Sequence, residues 1–219
     1  RNALSKSVKK QINPLLQKFS NVTVRENSGK DIVSSMGIKA DVVCDPTLVL
    51  PKESYRPLFS ETDIPHKKYI FLYLLSNTCS FSVRKLEKWA KENALELVYV
   101  TGNVGWKNCD YDDEGIDKSY LTIPEWLAYL SNAEYVITNS FHCSLFSLLF
   151  EKKVAVVPLG GSLKSTNNRI DSLFQNLCVN KTEVRNGNFD LLKNMPSQKI
   201  DTKFIANSKQ ILSSFGGGL

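Results

Sequence analysis

The junction Val136-Ile-Thr-Asn-Ser-Phe-His-Cys-Ser144 holds the sharpest chemical signal in the chain. An apolar strand ends there, and an apolar helix begins that Asn139 or Ser140 can cap. His142 then falls in the first helical turn, where unpaired N–H groups and the positive helix end favour an anion. The same field pushes an imidazole there toward neutrality unless a bound phosphate restores its proton. A solvated or capping histidine is the plainer alternative, and spacing alone leaves both open. A second junction, Val24-Arg-Glu-Asn-Ser-Gly29, puts Arg25 at a strand end and Ser-Gly at a helix start. A guanidinium is a planar fork suited to carboxylate or phosphate; a surface pair with a neighbouring acid is the alternative. A third, Thr166-Asn-Asn-Arg-Ile-Asp171, opens a helix behind Gly160-Gly161, with Asn168 and Arg169 at its start. It too can bring a cation to a phosphate, or leave a solvated arginine.

Other polar features point to structure. No G-x-x-x-x-G-K or G-x-G-x-x-G cradles a phosphate, and no G-x-S-x-G marks a nucleophile. Cys143 is next to His142 in sequence without having to point toward it. Asp45-Pro46-Thr47 reads as a turn after a strand, and Trp89 and Trp126 sit at helical spacing as packing residues. The acidic run 110–117 reads as a solvated loop or as a rim for a polyhydroxylated acceptor. Trp106, in a Gly-flanked loop, is the better candidate to stack on a sugar ring.

The elements that must position these residues are set by apolar spacing. The chain has 219 residues, 42% hydrophobic and 23% charged, which excludes disorder. Its longest apolar run, Tyr69-Ile-Phe-Leu-Tyr-Leu-Leu75, is far short of the roughly 18–20 residues of a spanning helix. Five widely spaced cysteines without C-x-x-C support neither a disulfide framework nor a zinc site, and reduced thiols in a cytoplasmic protein fit better. Two histidines are too few for a His-rich metal centre, so no metal is expected. The +6 net charge suits small anionic substrates or an anionic surface, and its even spread argues against nucleic acid.

Residues 5–19 read as a helix broken at Pro14, 21–26 and 40–44 as short strands, and 29–36 as a helix ended by Gly37. Pro51, Pro57 and Pro65 among polar residues make 51–67 a linker. Strands then alternate with helices: strand 69–75, helix 82–93, strand 95–101, helix 123–132, strand 135–138, helix 141–150, strand 154–158, helix 168–177. This rhythm predicts an α/β fold, a parallel sheet with helices on both faces. A last helix spans 202–215. The chain opens at Arg1 without Met, and residues 1–20 read as the end of something, so the sequence is expected to be the C-terminal portion of a longer protein.

Taken together, four stretches resemble the polysaccharide pyruvyl transferases. They are Thr23-Val-Arg-Glu-Asn-Ser-Gly29, Asp41-Val-Val-Cys-Asp-Pro-Thr-Leu-Val-Leu50, the run from Ile123 to Ser147 centred on Thr138-Asn-Ser-Phe-His142, and Asn168-Arg-Ile-Asp-Ser-Leu173. Their order and spacing match the family across about residues 20–175, with Cys143 standing where the family usually has Gly.

The resemblance implies a Rossmann-like sheet forming the C-terminal half of a glycosyltransferase-B-like, two-domain architecture. Residues 1–66 would be the end of the N-terminal domain and the crossover linker, and 67–219 the C-terminal domain with its terminal helix. It implies transfer of pyruvate from phosphoenolpyruvate to two hydroxyls of a glycan sugar, as a ketal, with release of phosphate and no cofactor. His142 and Arg25 would be catalytic, and Asn139, Ser140, Asn168 and Arg169 substrate-binding. Asp45 and Glu26 are candidates for the base by chemistry alone. The acceptor would be a glycan or lipid-linked sugar of cell-envelope synthesis, which fits a cytoplasmic protein associating peripherally with the inner membrane face. A single half of a cleft enzyme is expected to be inactive. Two other readings share this architecture: a glycosyltransferase using a nucleotide sugar, and a non-catalytic glycan-binding relative.

Overall fold

The computed structural model describes residues 4–59, 64–75, 81–101, 118–160, 167–196 and 198–215. The chain opens with helix α1 (Lys6–Leu16), strand β1 (Thr23–Val24), helix α2 (Asn27–Ser34) and strand β2 (Asp41–Val42). After 3-10 helices at Pro46–Leu48 and Lys52–Leu58 come β3 (Tyr69–Leu74), α3 (Val83–Glu92), β4 (Glu96–Thr101), β5 (Lys118–Ser119) and α4 (Ile123–Asn132). Next in order are β6 (Tyr135–Thr138), α5 (Phe141–Leu149), β7 (Lys153–Val156), α6 (Asn167–Asn176) and β8 (Thr182–Glu183). A 3-10 helix at Asp190–Asn194 leads to α7 (Lys203–Ser213).

β1 and β2 pair in parallel as a sheet of their own, with Thr23 opposite Asp41 and Val24 opposite Val42. The other strands form one parallel sheet in the order β5-β4-β3-β6-β7-β8. The chain thus winds outward from β3 to one edge, returns through α4 to β6, and winds outward to the other edge. This is a Rossmann-like α/β fold, and its winding reverses between β3 and β6. A crevice opens at the carboxyl ends of strands where such a reversal occurs, and ligands gather there.

The strand period of two builds a core on each face. Tyr69, Phe71, Val98, Val136, Val154 and Val156 point to one side and pack with Leu145 and Leu148 of α5 and Ile170 and Phe174 of α6. Ile70, Leu72, Leu74, Ile137 and Ala155 point to the other and meet Leu86 and Ala90 of α3, with Phe189 and Leu192. Both faces are covered, so β3 reads as an unbroken apolar run rather than an alternating one. Leu72 is wholly buried, and truncating it to Ala would cost about 2–5 kcal/mol.

Two sequence expectations shift, and two further features come from the structure. Pro14 lies inside α1 without ending it; its missing N–H forfeits one helical bond, to the carbonyl of Lys10, a solvent-exposed residue. The segment 51–67 is not an open linker throughout, because Lys52–Leu58 coils and lays Tyr55 against Phe146 and Phe59 against Phe150 of the α5 region, ring centroids 5.2 and 5.7 Å apart. The edge strands β5 and β8 were not visible in the sequence, each being two residues long. Finally, α7 packs back onto the segment after β2, where its Ser208 hydroxyl accepts the Cys44 N–H at 2.9 Å. Among the described residues, no helix is long and apolar enough to cross a membrane.

Candidate active site

The β6–α5 junction is laced by its own short polar side chains. Thr138 Oγ1 donates to the Tyr73 carbonyl (2.6 Å) and accepts from Ser140 N–H (3.0 Å). Asn139 Oδ1 accepts the Leu75 N–H at 2.7 Å, joining the ends of β3 and β6 across the reversal point. Ser140 caps α5 by accepting from Cys143 N–H at 3.3 Å, and Ser144 donates back to the Ser140 carbonyl at 2.9 Å. These groups are buried and paired, which fixes the helix start to the sheet. Phe141 and His142 therefore project from a rigid first turn whose leading N–H groups have no helical acceptor.

Arg25 arrives from the other sheet. It comes directly after β1, and Asp45 shortly after β2, so both leave the carboxyl ends of adjacent parallel strands. Arg25 Nη1 donates to Asp45 Oδ2 at 2.5 Å, and Asp45 Oδ1 accepts the Thr47 N–H and hydroxyl at 3.0 and 2.8 Å. Burial alone would raise the Asp45 carboxyl. The Thr47 and Arg25 hydrogen bonds and the Arg25 charge outweigh it and hold the group below its ordinary value. Asp45 Oδ2 also lies 3.9 Å from His142 Nε2. One anchored carboxylate thus faces a guanidinium of the small sheet and an imidazole of the large one.

Arg169, in the first turn of α6, completes the cluster. Its Cζ stands 4.7 Å from the Phe141 ring centroid and Arg25 Cζ stands 5.8 Å from the same ring. An aromatic face attracts each cation, and Phe141 serves two. Arg169 Nε also approaches Glu26 Oε1 at 4.0 Å. The side chains of Arg25, His142 and Arg169 are 45%, 57% and 33% exposed, whereas Asp45 is 4% exposed. The crevice among Arg25, Asp45, Phe141 and Arg169 is only about 10 Å³, so the cations offer their outward edges to a ligand.

His142 also lines a larger cavity of about 620 Å³, walled by Tyr73, Tyr120, Leu121, Ile123, Trp126 and Phe146. It opens at the carboxyl ends of β3 and β4, beside the reversal point.

Three of the sequence-derived residues, Arg25, His142 and Arg169, are thus brought together. Ser140 caps the helix and lines the larger cavity. Asn139 departs from the expected pocket role: its side chain is buried, and its oxygen ties two strand ends. Asn168 is exposed and does not line the Arg25–Arg169 crevice. Cys143 is wholly buried, and desolvation pushes its thiol up to about 12, so it stays protonated at neutral pH and is no nucleophile. Trp106 and the acidic run 110–117 lie outside the described residues. Among those described, no three His, Cys, Asp or Glu side chains are grouped to hold a metal ion.

A family model described as polysaccharide pyruvyl transferase matches residues 3–160 of the 219. The chain belongs to that family. The match covers β1 to β7, and so includes Arg25, Asp45 and His142 but not Arg169. It identifies the protein as a transferase of polysaccharide synthesis. The comparison with curated proteins returns no match.

Sequence reasoning missed one contributor, Phe141, and the positioning role of a second, Asp45. Phe141 reads as the first apolar residue of a helix, and nothing local shows that two arginines will share its ring. Asp45 reads as the cap of a turn, which it is, accepting from Thr47 N–H. Its second task depends on β1 lying beside β2.

Proposed function

We propose that the chain binds phosphoenolpyruvate at the outward edges of Arg25, His142 and Arg169 and transfers its pyruvyl group to two hydroxyls of a glycan sugar. The observation that carries this is the meeting of three cation-forming side chains, from three separate strand–helix junctions, around Asp45 and Phe141. A compact donor bearing a carboxylate and a phosphate needs such charges and N–H groups more than it needs a covalent nucleophile. Arg25 and Arg169 grip the anionic groups, and the α5 N-terminus receives phosphate beside His142.

In the reaction, a proton is added to the methylene carbon, and the cation formed at C2 takes the first hydroxyl, a C–O bond forming as that hydroxyl loses its proton. The C2–O bond to phosphate then breaks, phosphate leaves with the bonding pair, and the second hydroxyl closes the ketal as it loses its own proton. In sum, one hydroxyl proton ends on the new methyl group and the other on phosphate. His142, exposed and next to the phosphate position, is the general acid. Asp45, occupied with Arg25 and Thr47, is a positioning residue. Glu26, beside Arg169, is the better placed carboxylate to take a hydroxyl proton.

The separation of β1–β2 from the six-stranded sheet supports a division at the crossover, with residues 1–66 belonging to one wall of a cleft and 67–219 to the other. A lipid-linked acceptor would bring the cleft to the cytoplasmic membrane face. The test is His142→Ala in the full-length protein, with phosphate release from phosphoenolpyruvate measured in the presence of a glycan acceptor. We expect a loss of about 10²-fold or more, with an unchanged melting temperature; near-normal turnover removes His142 from the mechanism.

A further inference from the structure

Two pockets meet at the start of α5, and they differ in kind. The crevice side carries Arg25 and Arg169. The cavity side, about 620 Å³, has no Lys, Arg, Asp or Glu among its described lining residues. A multiply charged donor placed wholly there would lose its hydration without the guanidinium partners that the crevice offers, which is unfavourable. A sugar suits those walls. Its ring carries an apolar C–H face and a rim of hydroxyls, while the cavity pairs aromatic surfaces with a few polar tips: the Tyr73 and Tyr120 hydroxyls, Ser140 and His142 itself. The volume falls within the roughly 300–1,000 Å³ common for small-molecule sites.

We propose that the cavity walled by Tyr73, Tyr120, Ile123 and Trp126 is the acceptor subsite, and that it selects an uncharged sugar. This rests on the donor lying at the Arg25–Arg169 crevice: His142 is 3.9 Å from Asp45 of that crevice and also lines the cavity, so its proton is within reach of either substrate. Two rim positions set the specificity. Ile123 and Tyr120 are 78% and 64% exposed, at the start of α4 and just before it. Ile123 opens a helix whose capping box, Thr122 with Glu125, holds without it, so Ile123→Glu adds a charge at the mouth and leaves the fold intact. Trp126 sits deeper, edge-on to Phe71, Tyr73 and Phe146.

The experiment titrates the full chain with methyl β-galactoside, methyl α-mannoside and methyl β-glucuronide by saturation-transfer NMR. Phosphoenolpyruvate affinity is measured in parallel by calorimetry. We expect a neutral glycoside to bind and the glucuronide to bind at least about tenfold more weakly. Ile123→Glu and Tyr120→Ala should each weaken the neutral glycoside about tenfold while leaving phosphoenolpyruvate within about twofold. The proposal is overturned if no glycoside binds, if both variants bind it as wild type does, if the glucuronide binds equally well, or if uridine or guanosine diphosphate displaces the sugar. Should glycoside binding depend on Tyr120 and Ile123 while phosphoenolpyruvate fails to bind at all, the donor assignment falls and the sugar subsite stands.

Discussion

The β6–α5 junction and the β1–α2 junction bring one cation-forming side chain each to the same place, but they hold it by different means. At β6–α5, Thr138, Asn139, Ser140 and Ser144 are buried and bonded to backbone groups of the same junction or of β3. At β1–α2, the strand is two residues long, no side chain caps the helix, and α2 buries no residue. Arg25 is fixed instead from outside, by Asp45 at the end of the neighbouring strand. One half of the site is rigid through its own hydrogen bonds, and the other depends on an ion pair with one half-exposed partner and on the Phe141 ring. Preorganisation therefore differs across the site. Loss of a polar group should damage stability on the His142 side and ligand binding on the Arg25 side.

That contrast is open to direct attack. The largest effect is expected on the donor: Arg25→Lys should weaken phosphoenolpyruvate binding by about 10- to 100-fold, since an ammonium cannot make the two-pronged contact while also reaching Asp45. Calorimetry reads this, and unchanged affinity would reduce Arg25–Asp45 to a structural pair. Next comes stability. Asn139→Ala leaves the Leu75 N–H without its acceptor and should cost about 1–3 kcal/mol in urea unfolding. Asn27→Ala, exposed in the first turn of α2, should stay within about 0.5 kcal/mol. Equal losses would erase the distinction between the junctions.

The smallest effect is a pH signature. Asp45 has a depressed value in the folded chain, so its contribution is fully present well above the ordinary 3.8 and is lost as the pH falls through the lower folded value. The melting temperature of the wild type should exceed that of Asp45→Asn at pH 6, and the gap should close below pH 3.8. A gap that persists into acid would mean that the Asn amide is at fault rather than the missing charge.

The fold was legible where burial imposes a pattern. The run 69–74, the amphipathic helix after it and the strand–helix rhythm to 177 come from side chains packed on both faces of one sheet. Strands β5 and β8 were not legible, since two-residue edge strands have too little chain for any period. The 3-10 helix at 52–58 hid behind Pro51 and Pro57, which read as linker punctuation; what coils the segment is Tyr55 and Phe59 docking on α5. In the candidate site, Arg25, His142 and Arg169 stood out because each lies at the junction of a strand with a helix. Phe141 did not, and Asp45 did only as a candidate base rather than as the partner of Arg25, because their partners lie on elements distant in sequence. Asn139 shows the opposite failure: its residue type suggested a ligand contact, while its burial makes it a clasp.

One consequence of the pairing of Arg25 with Asp45 and Arg169 with Glu26 concerns how an anion finds the pocket. Two positive and two negative charges stand side by side, and beyond about 8 Å in physiological salt they cancel and are screened. The pit sends no long-range signal, and what draws anions near is the diffuse +6 of the whole chain. On the proposed function, the donor is recognised on contact, where it competes with Glu26 for Arg169.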